Sequence, residues 1–199
     1  MRKINEIFYS IQGEGHHTGY PSVFIRFSGC NLACPFCDTS HREGIYMSDD
    51  EIFRSVNLYT ACWIVLTGGE PALHIDSGFV RMLKRITGKK VAIETNGTVP
   101  VPEEIDWVTL SPKEGICGDG EASLKIKRAD EIKVVDVGQP LSPYFNLPCK
   151  TDNTLMYLQP CYVEDQKERE SNRLRTLNRV LADPRWTLSV QLHRYLNIP

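Results

Sequence analysis

Short β-branched and apolar segments, each closed by a glycine, proline or polar motif, recur along this chain with helical segments between them, and that alternation limits what it can fold into. Val23 to Ser28 (VFIRFS) ends at Gly29, and Cys62 to Leu66 runs into Thr67-Gly68-Gly69-Glu70-Pro71. Val91 to Glu94 leads to Thr95-Asn96-Gly97, and Trp107 to Leu110 to Ser111-Pro112-Lys113. Ile132 to Val135, Thr154 to Leu158 (closing in Gln159-Pro160) and Leu188 to Leu192 complete the set. Between them, Ser48-Asp49-Asp50-Glu51 is a capping box that opens a helix carrying Ile52 and Val56. Phe79, Leu83 and Ile86 have helical spacing, as do Leu174, Leu177 and Leu181, which mark one face of a charged helix stopping at Asp183-Pro184.

Strand, helix, strand in this rhythm predicts an α/β fold with a parallel sheet and right-handed crossovers. A closed eight-stranded barrel typically takes about 250 residues, and this chain has 199. The expectation is a partial, open TIM-like barrel of about six parallel strands with reduced helices, in a single domain over residues 1–199. The polar motifs fall at the C-terminal strand ends, where such barrels keep their active sites.

Net charge of −2 gives no global basic field and argues against a nucleic-acid partner. No stretch approaches the roughly 18 apolar residues of a membrane helix, and no export signal is seen, so a cytoplasmic protein without a membrane partner is expected. Seven cysteines without such a signal suggest metal binding or reactivity rather than disulfides.

Three of them form Cys30-x3-Cys34-x2-Cys37 directly after a strand. Three thiolates on one loop suit zinc or an iron–sulfur cluster. A structural zinc site wants a fourth ligand, which His41 can supply. A cluster with three protein ligands instead leaves one iron open. Cys62 is expected in the core. Cys117, Cys149 and Cys161 show no metal-site spacing, and His16, His17 and His74 receive no role. Arg26 sits mid-strand, on the face of Phe24 and Ser28, and calls for a carboxylate partner from protein or ligand.

The cysteine spacing, with Phe36 before the last cysteine, resembles the radical S-adenosylmethionine (SAM) superfamily, whose fold is a partial α/β barrel. That resemblance implies a 4Fe–4S cluster on Cys30, Cys34 and Cys37 whose open iron takes SAM. One electron then breaks a C–S bond of SAM and releases a 5′-deoxyadenosyl radical. It further implies SAM contacts at Phe36, Cys37, Asp38, Gly69, Glu70, Glu94, Asn96, Ser111, Pro112, Lys113 and Gln159.

Ile11-Gln12-Gly13-Glu14-Gly15, Arg26, the Cys-Asp-Thr close of the cysteine loop, TGGEP, ETNG, SPK and the terminal Gln191-Leu192-His193 together resemble one branch, the 7-carboxy-7-deazaguanine synthases, over nearly the whole chain. The branch implies 6-carboxy-5,6,7,8-tetrahydropterin as substrate, held by Ile11, Gln12, Gly13, Glu14, Arg26, Thr67, His193 and the carboxylate of Pro199. It implies Mg2+ at Thr39, loss of ammonia on ring contraction, a homodimer and an electron donor such as a flavodoxin. An activating enzyme for a glycyl-radical protein and a zinc-binding interaction module are the competing readings. Residues Gly115 to Arg128 match nothing in these patterns.

Overall fold

The computed structural model describes residues 1–37, 43–114, 116–117 and 123–199. Its elements run β1 (Arg2–Ile11), β2 (Pro21–Phe27), β3 (Ile45–Met47), α1 (Asp49–Asn57), β4 (Trp63–Gly68), α2 (Ser77–Thr87), β5 (Lys90–Thr95), β6 (Trp107–Leu110), β7 (Glu131–Asp136), β8 (Leu155–Pro160), α3 (Gln166–Ala182), β9 (Thr187–Leu188) and α4 (Leu192–Leu196). All nine strands form one sheet in the order β3-β1-β2-β4-β5-β6-β7-β8-β9. The run from β2 to β8 is six parallel strands, and β9 adds a short parallel pair. The sheet is open. The expected partial barrel is present, and its first edge is extended by β1 and β3, which pair antiparallel.

Alternation along the strands divides the core in two. Ile64 and Leu66 of β4, Val91 and Ile93 of β5, and Ile132 and Val134 of β7 face the helices with Ile52, Val56, Phe79, Val80 and Leu83. Each such buried side chain contributes about 1.5–3 kcal/mol of transfer free energy. The opposite faces of the same strands supply a smaller inner cluster of Phe24, Val65 and Ala92, with Phe8, Trp63 and Trp107 against it.

Local signals explain the helix ends. Ser48 and Glu51 exchange hydrogen bonds as a capping box at α1. Asp76 caps α2, which ends on Gly88 at φ 67°. The long helix α3 departs from its pattern. Leu174, Leu177 and Leu181 point outward, and the buried side chains are Asn172 and Thr176. The cause is Asp136 at the end of β7, wholly buried. It accepts from Thr176 Oγ1 at 2.9 Å and Arg179 at 2.5 Å, with Arg175 Nε at 3.5 Å. A buried carboxylate must be paired, and that demand outranks burial of the leucines.

Two further expectations are corrected. Leu188 to Leu192 is not a strand: β9 stops at Leu188 and Leu192 opens α4. Cys62 is exposed just before β4 rather than in the core. Among the described residues no helix is long and apolar enough to cross a membrane.

The loop after β1 crosses the interior. Its Gln12 N–H donates to Tyr20, and Gly15 N–H to Ser189 Oγ at 3.1 Å. His16 stacks on Trp107 with centroids 4.8 Å apart, and His17 packs on Trp63 at 4.3 Å. Both tryptophans open their strands, so this stack plugs the N-terminal end of the barrel. Burial, with His16 and Lys90 nearby, lowers the His17 pKa to about 4.

Candidate active site

Two adjoining cavities lie at the C-terminal strand ends. The first, about 180 Å³, is lined by Cys30, Cys34 and Cys37, with Phe36, Gly68, Gly69, Asn96, Ser111, Lys113 and Gln159. Glycine is required on its wall, because a Cβ on Gly69 would collide with the Gly29 carbonyl. Lys113 Nζ donates to Ser111 Oγ at 2.5 Å and lies 5.6 Å from the Phe36 ring centre. Asn96 donates to Asn31 and to Cys30 Sγ, which ties the loop after β5 to the cysteine loop. Burial pushes the Cys30 thiol above its ordinary value, opposed by the Leu32 N–H.

Most of the residues expected at SAM meet here, with two differences. Glu70 is wholly buried and turned from the cavity. Its carboxylate accepts from Ala72 N–H at 3.0 Å, Thr95 Oγ1 at 2.8 Å and Asn96 N–H at 2.7 Å. Despite those partners, burial raises its pKa. The side chain therefore braces two strand-end loops. Pro112 is buried too and lines neither cavity. Asp38, Thr39 and His41 lie outside the described residues.

Cys34 is joined to Cys117 by a disulfide, with Cα atoms 5.0 Å apart. Cys117 has no metal-site spacing, and nothing in its local sequence foretold this pairing across 83 residues. Among the described residues no three ligating side chains converge on a single metal ion. A polynuclear cluster is larger than one ion and takes thiolates spaced round a cavity. Cys30, Cys34 and Cys37 around one cavity fit that requirement once the Cys34–Cys117 bond is reduced.

The second cavity, about 190 Å³, is lined by Phe8, Ile11, Gln12, Gly13, Glu14, Phe24, Arg26, Thr67, Glu94, Gln191, His193, Arg194 and Pro199. All eight residues expected at the substrate share this one cavity, although they come from both ends of the chain. Arg26 pairs with Glu6 at 2.7 Å and lies 5.5 Å from the Phe8 ring centre, which stacks on Phe24. A Cβ on Gly13 would run into the His193 ring, so glycine lets the C-terminal segment close on the loop. Leu192 N–H donates to Gly13 at 2.9 Å, and Ser10 Oγ donates to a Pro199 oxygen at 2.8 Å.

Glu94, expected among the SAM contacts, joins this second set as well. It accepts from Gln12 Nε2 at 3.1 Å and from Thr67 Oγ1 at 3.0 Å. Beside it stands Lys133 of β7, bonded to Glu14 and 3.5 Å from Glu94. The sequence reading missed Lys133. Its signal was the strand Glu131-Ile-Lys-Val-Val, where two charges alternate with Ile132 and Val134 on a central strand.

The comparisons agree with this geometry. Residues 24–108 match the model of the Radical SAM superfamily. A 7-carboxy-7-deazaguanine synthase from Bacteroides thetaiotaomicron is 52% identical over 198 residues, covering 100% of this chain and 99% of that protein. The Burkholderia multivorans protein of the same name is 36% identical, with 98% of each chain covered. The crystal structure of QueE from Escherichia coli superposes with a TM-score of 0.75 at 28% identity, covering 96% of this chain and 94% of that one. A chain with these two cavities on an open six-stranded parallel barrel, alike over its full length to such relatives, belongs to the 7-carboxy-7-deazaguanine synthase family of radical SAM enzymes.

Proposed function

We propose that this protein converts 6-carboxy-5,6,7,8-tetrahydropterin to 7-carboxy-7-deazaguanine by radical ring contraction with loss of ammonia, on the route to queuosine. The observation that carries the reading is the second cavity, in which Gln12, Glu14, Arg26, Thr67, Glu94, His193 and Pro199 come together beside the cysteine-lined first one. When bound through Cys30, Cys34 and Cys37, a 4Fe–4S cluster supplies the electron that cleaves SAM and so the radical that abstracts a substrate hydrogen.

The chain's own residues position and shield. Gly68 and Gly69 leave backbone free for close approach by SAM, and Asn96, Ser111, Lys113 and Gln159 offer polar contacts around it. Glu14 and Glu94 accept from the N–H groups of the heterocycle edge, while Gln12 offers both donor and acceptor. Arg26 meets the substrate carboxylate as a charge-assisted pair. The His–Trp plug closes the far end of the barrel, which excludes water from the reacting centre. Thr39 is proposed to bind Mg2+, an oxygen-seeking ion, against the substrate carboxylate. The protein is proposed to act in the cytoplasm as one domain in a homodimer, reduced by a flavodoxin-like donor.

The test is anaerobic reconstitution with iron and sulfide, then reductant, SAM, Mg2+ and the pterin, with product read by mass spectrometry. Formation of 7-carboxy-7-deazaguanine is expected. Formation of 5′-deoxyadenosine without it would overturn the substrate assignment and leave SAM cleavage standing.

A further inference from the structure

Lys133 is buried in the wall of the first cavity, its side chain 5% exposed, beside Glu14 and Glu94, which line both cavities. Its ammonium bonds Glu14 and lies 3.5 Å from Glu94 Oε1. Each carboxylate also has a neutral donor: Gln191 Nε2 reaches Glu14 at 2.8 Å, and Gln12 and Thr67 reach Glu94. Glu131 stands two residues earlier on the same strand face, where it accepts from His16 N–H and Thr109 Oγ1. Burial raises the Glu131 pKa, against the pull of Lys133. Burial also opposes charge on Lys133, but Glu14 and Glu94 outweigh it and hold its ammonium above the ordinary range. One buried cation therefore serves three carboxyl groups, and the two nearest its head, Glu14 and Glu94, are partly exposed and face the substrate cavity.

An aminopyrimidinone edge presents N–H donors. It is best met by carboxylates that are ionised and therefore acceptor-only. Two carboxylates side by side on one wall repel each other, and a cation between them offsets that repulsion. A protonated carboxyl would point an O–H at an N–H.

We propose that Lys133 is a positioning residue that keeps Glu14 and Glu94 together as an ionised acceptor pair for the N–H edge of the substrate heterocycle. The assignment rests on the reading of the second cavity as the pterin site. It differs from the roles of the residues that touch substrate, because Lys133 acts through Glu14 and Glu94.

The test uses reconstituted wild type, Lys133→Met, Lys133→Arg, Glu14→Gln and the Lys133→Met/Glu14→Gln double variant. Three quantities are read: KM and kcat for product, affinity for oxidised 6-carboxypterin, and 5′-deoxyadenosine formed with SAM alone. Lys133→Met is expected to raise KM and weaken pterin affinity by about 100-fold, a larger loss than it causes in SAM cleavage. Lys133→Arg, which keeps the charge, is expected to restore both to within about tenfold. In the Glu14→Gln background, Lys133→Met is expected to cost less than about tenfold further, since the group it acts through is already neutral. That double variant also removes both halves of the buried pair, so it decides the question even where Lys133→Met alone does not fold. Unchanged KM in Lys133→Met, equal losses in Met and Arg variants, or full additivity in the double variant overturns the proposal. Wild type that turns over no pterin sinks the functional reading instead, a result the Lys133 variants cannot mimic.

Discussion

The two cavities are built on different principles. The substrate-side cavity is assembled by the protein alone, through Lys133, Glu14, Glu94, Gln12, Thr67 and Gln191 bonded to one another. The cysteine-lined cavity depends on backbone and on sulfur: glycines make room, and Cys34, on its wall, is bonded to Cys117. The first is pre-organised by ion pairs whether or not anything is bound. The second offers three thiolates only once the Cys34–Cys117 bond is reduced. The difference teaches that one enzyme can keep its recognition surface rigid while leaving its cofactor surface to be completed by the cofactor.

That contrast is open to attack at both ends. The largest effect is expected from Cys34→Ala. Iron content and the charge-transfer absorption should be lost and SAM cleavage should fall to background, while pterin affinity of the folded apoprotein survives. Retained cleavage would remove Cys34 from the cluster. Arg26→Ala works on the opposite side. KM for the pterin should rise about 10- to 100-fold, the magnitude of a lost charge-assisted hydrogen bond, with SAM cleavage unaltered. A normal KM would take Arg26 out of the substrate wall. Cys117→Ser sharpens the comparison further. The variant should load its cluster equally well with and without prior thiol reduction, whereas wild type should load poorly until reduced. Equal loading of unreduced wild type would show that the Cys34–Cys117 bond does not guard the site.

The smallest effect lies at the barrel plug. His17 has a folded pKa of about 4 against 6.5 for the unfolded chain. Above 6.5 both states are neutral there. Between 6.5 and 4 the unfolded state binds more protons, so stability falls as pH falls. His17 is half-exposed, and solvent screening leaves about 1 kcal/mol of this dependence. Denaturant melts of wild type and His17→Phe at pH 7 and pH 4.5 read it. A wild-type loss no larger than that of His17→Phe would assign the acid sensitivity elsewhere.

The parallel strands were legible because each joins a β-branched run to a glycine or polar stop, and the observed strands from β2 to β8 begin or end within a residue or two of the expected bounds. The antiparallel β1 was not, since charged and polar residues (Arg2, Lys3, Asn5, Glu6) interrupt the apolar run of RKINEIFYSI. Nor was α4, whose five residues follow an apolar run that reads equally well as a strand. On α3 the pattern of leucines was real, but its direction was set by Asp136, forty residues upstream of Thr176 and invisible to local periodicity. The site followed the same rule. Motif residues such as Gln12, Arg26 and Asn96 were found from their neighbours in sequence. Lys133 was missed because its meaning comes from Glu14 and Glu94, which reach it only through the fold.

Thr67, Glu94, Glu14 and Gln191 line both cavities at once. They form a party wall, and whatever settles on one side stiffens the other tenant's surface. The same four side chains meet whatever fills either room, so a ligand on one side touches the surface offered to the other. Such help is symmetrical by thermodynamic necessity: the factor by which SAM tightens the pterin is the factor by which the pterin tightens SAM.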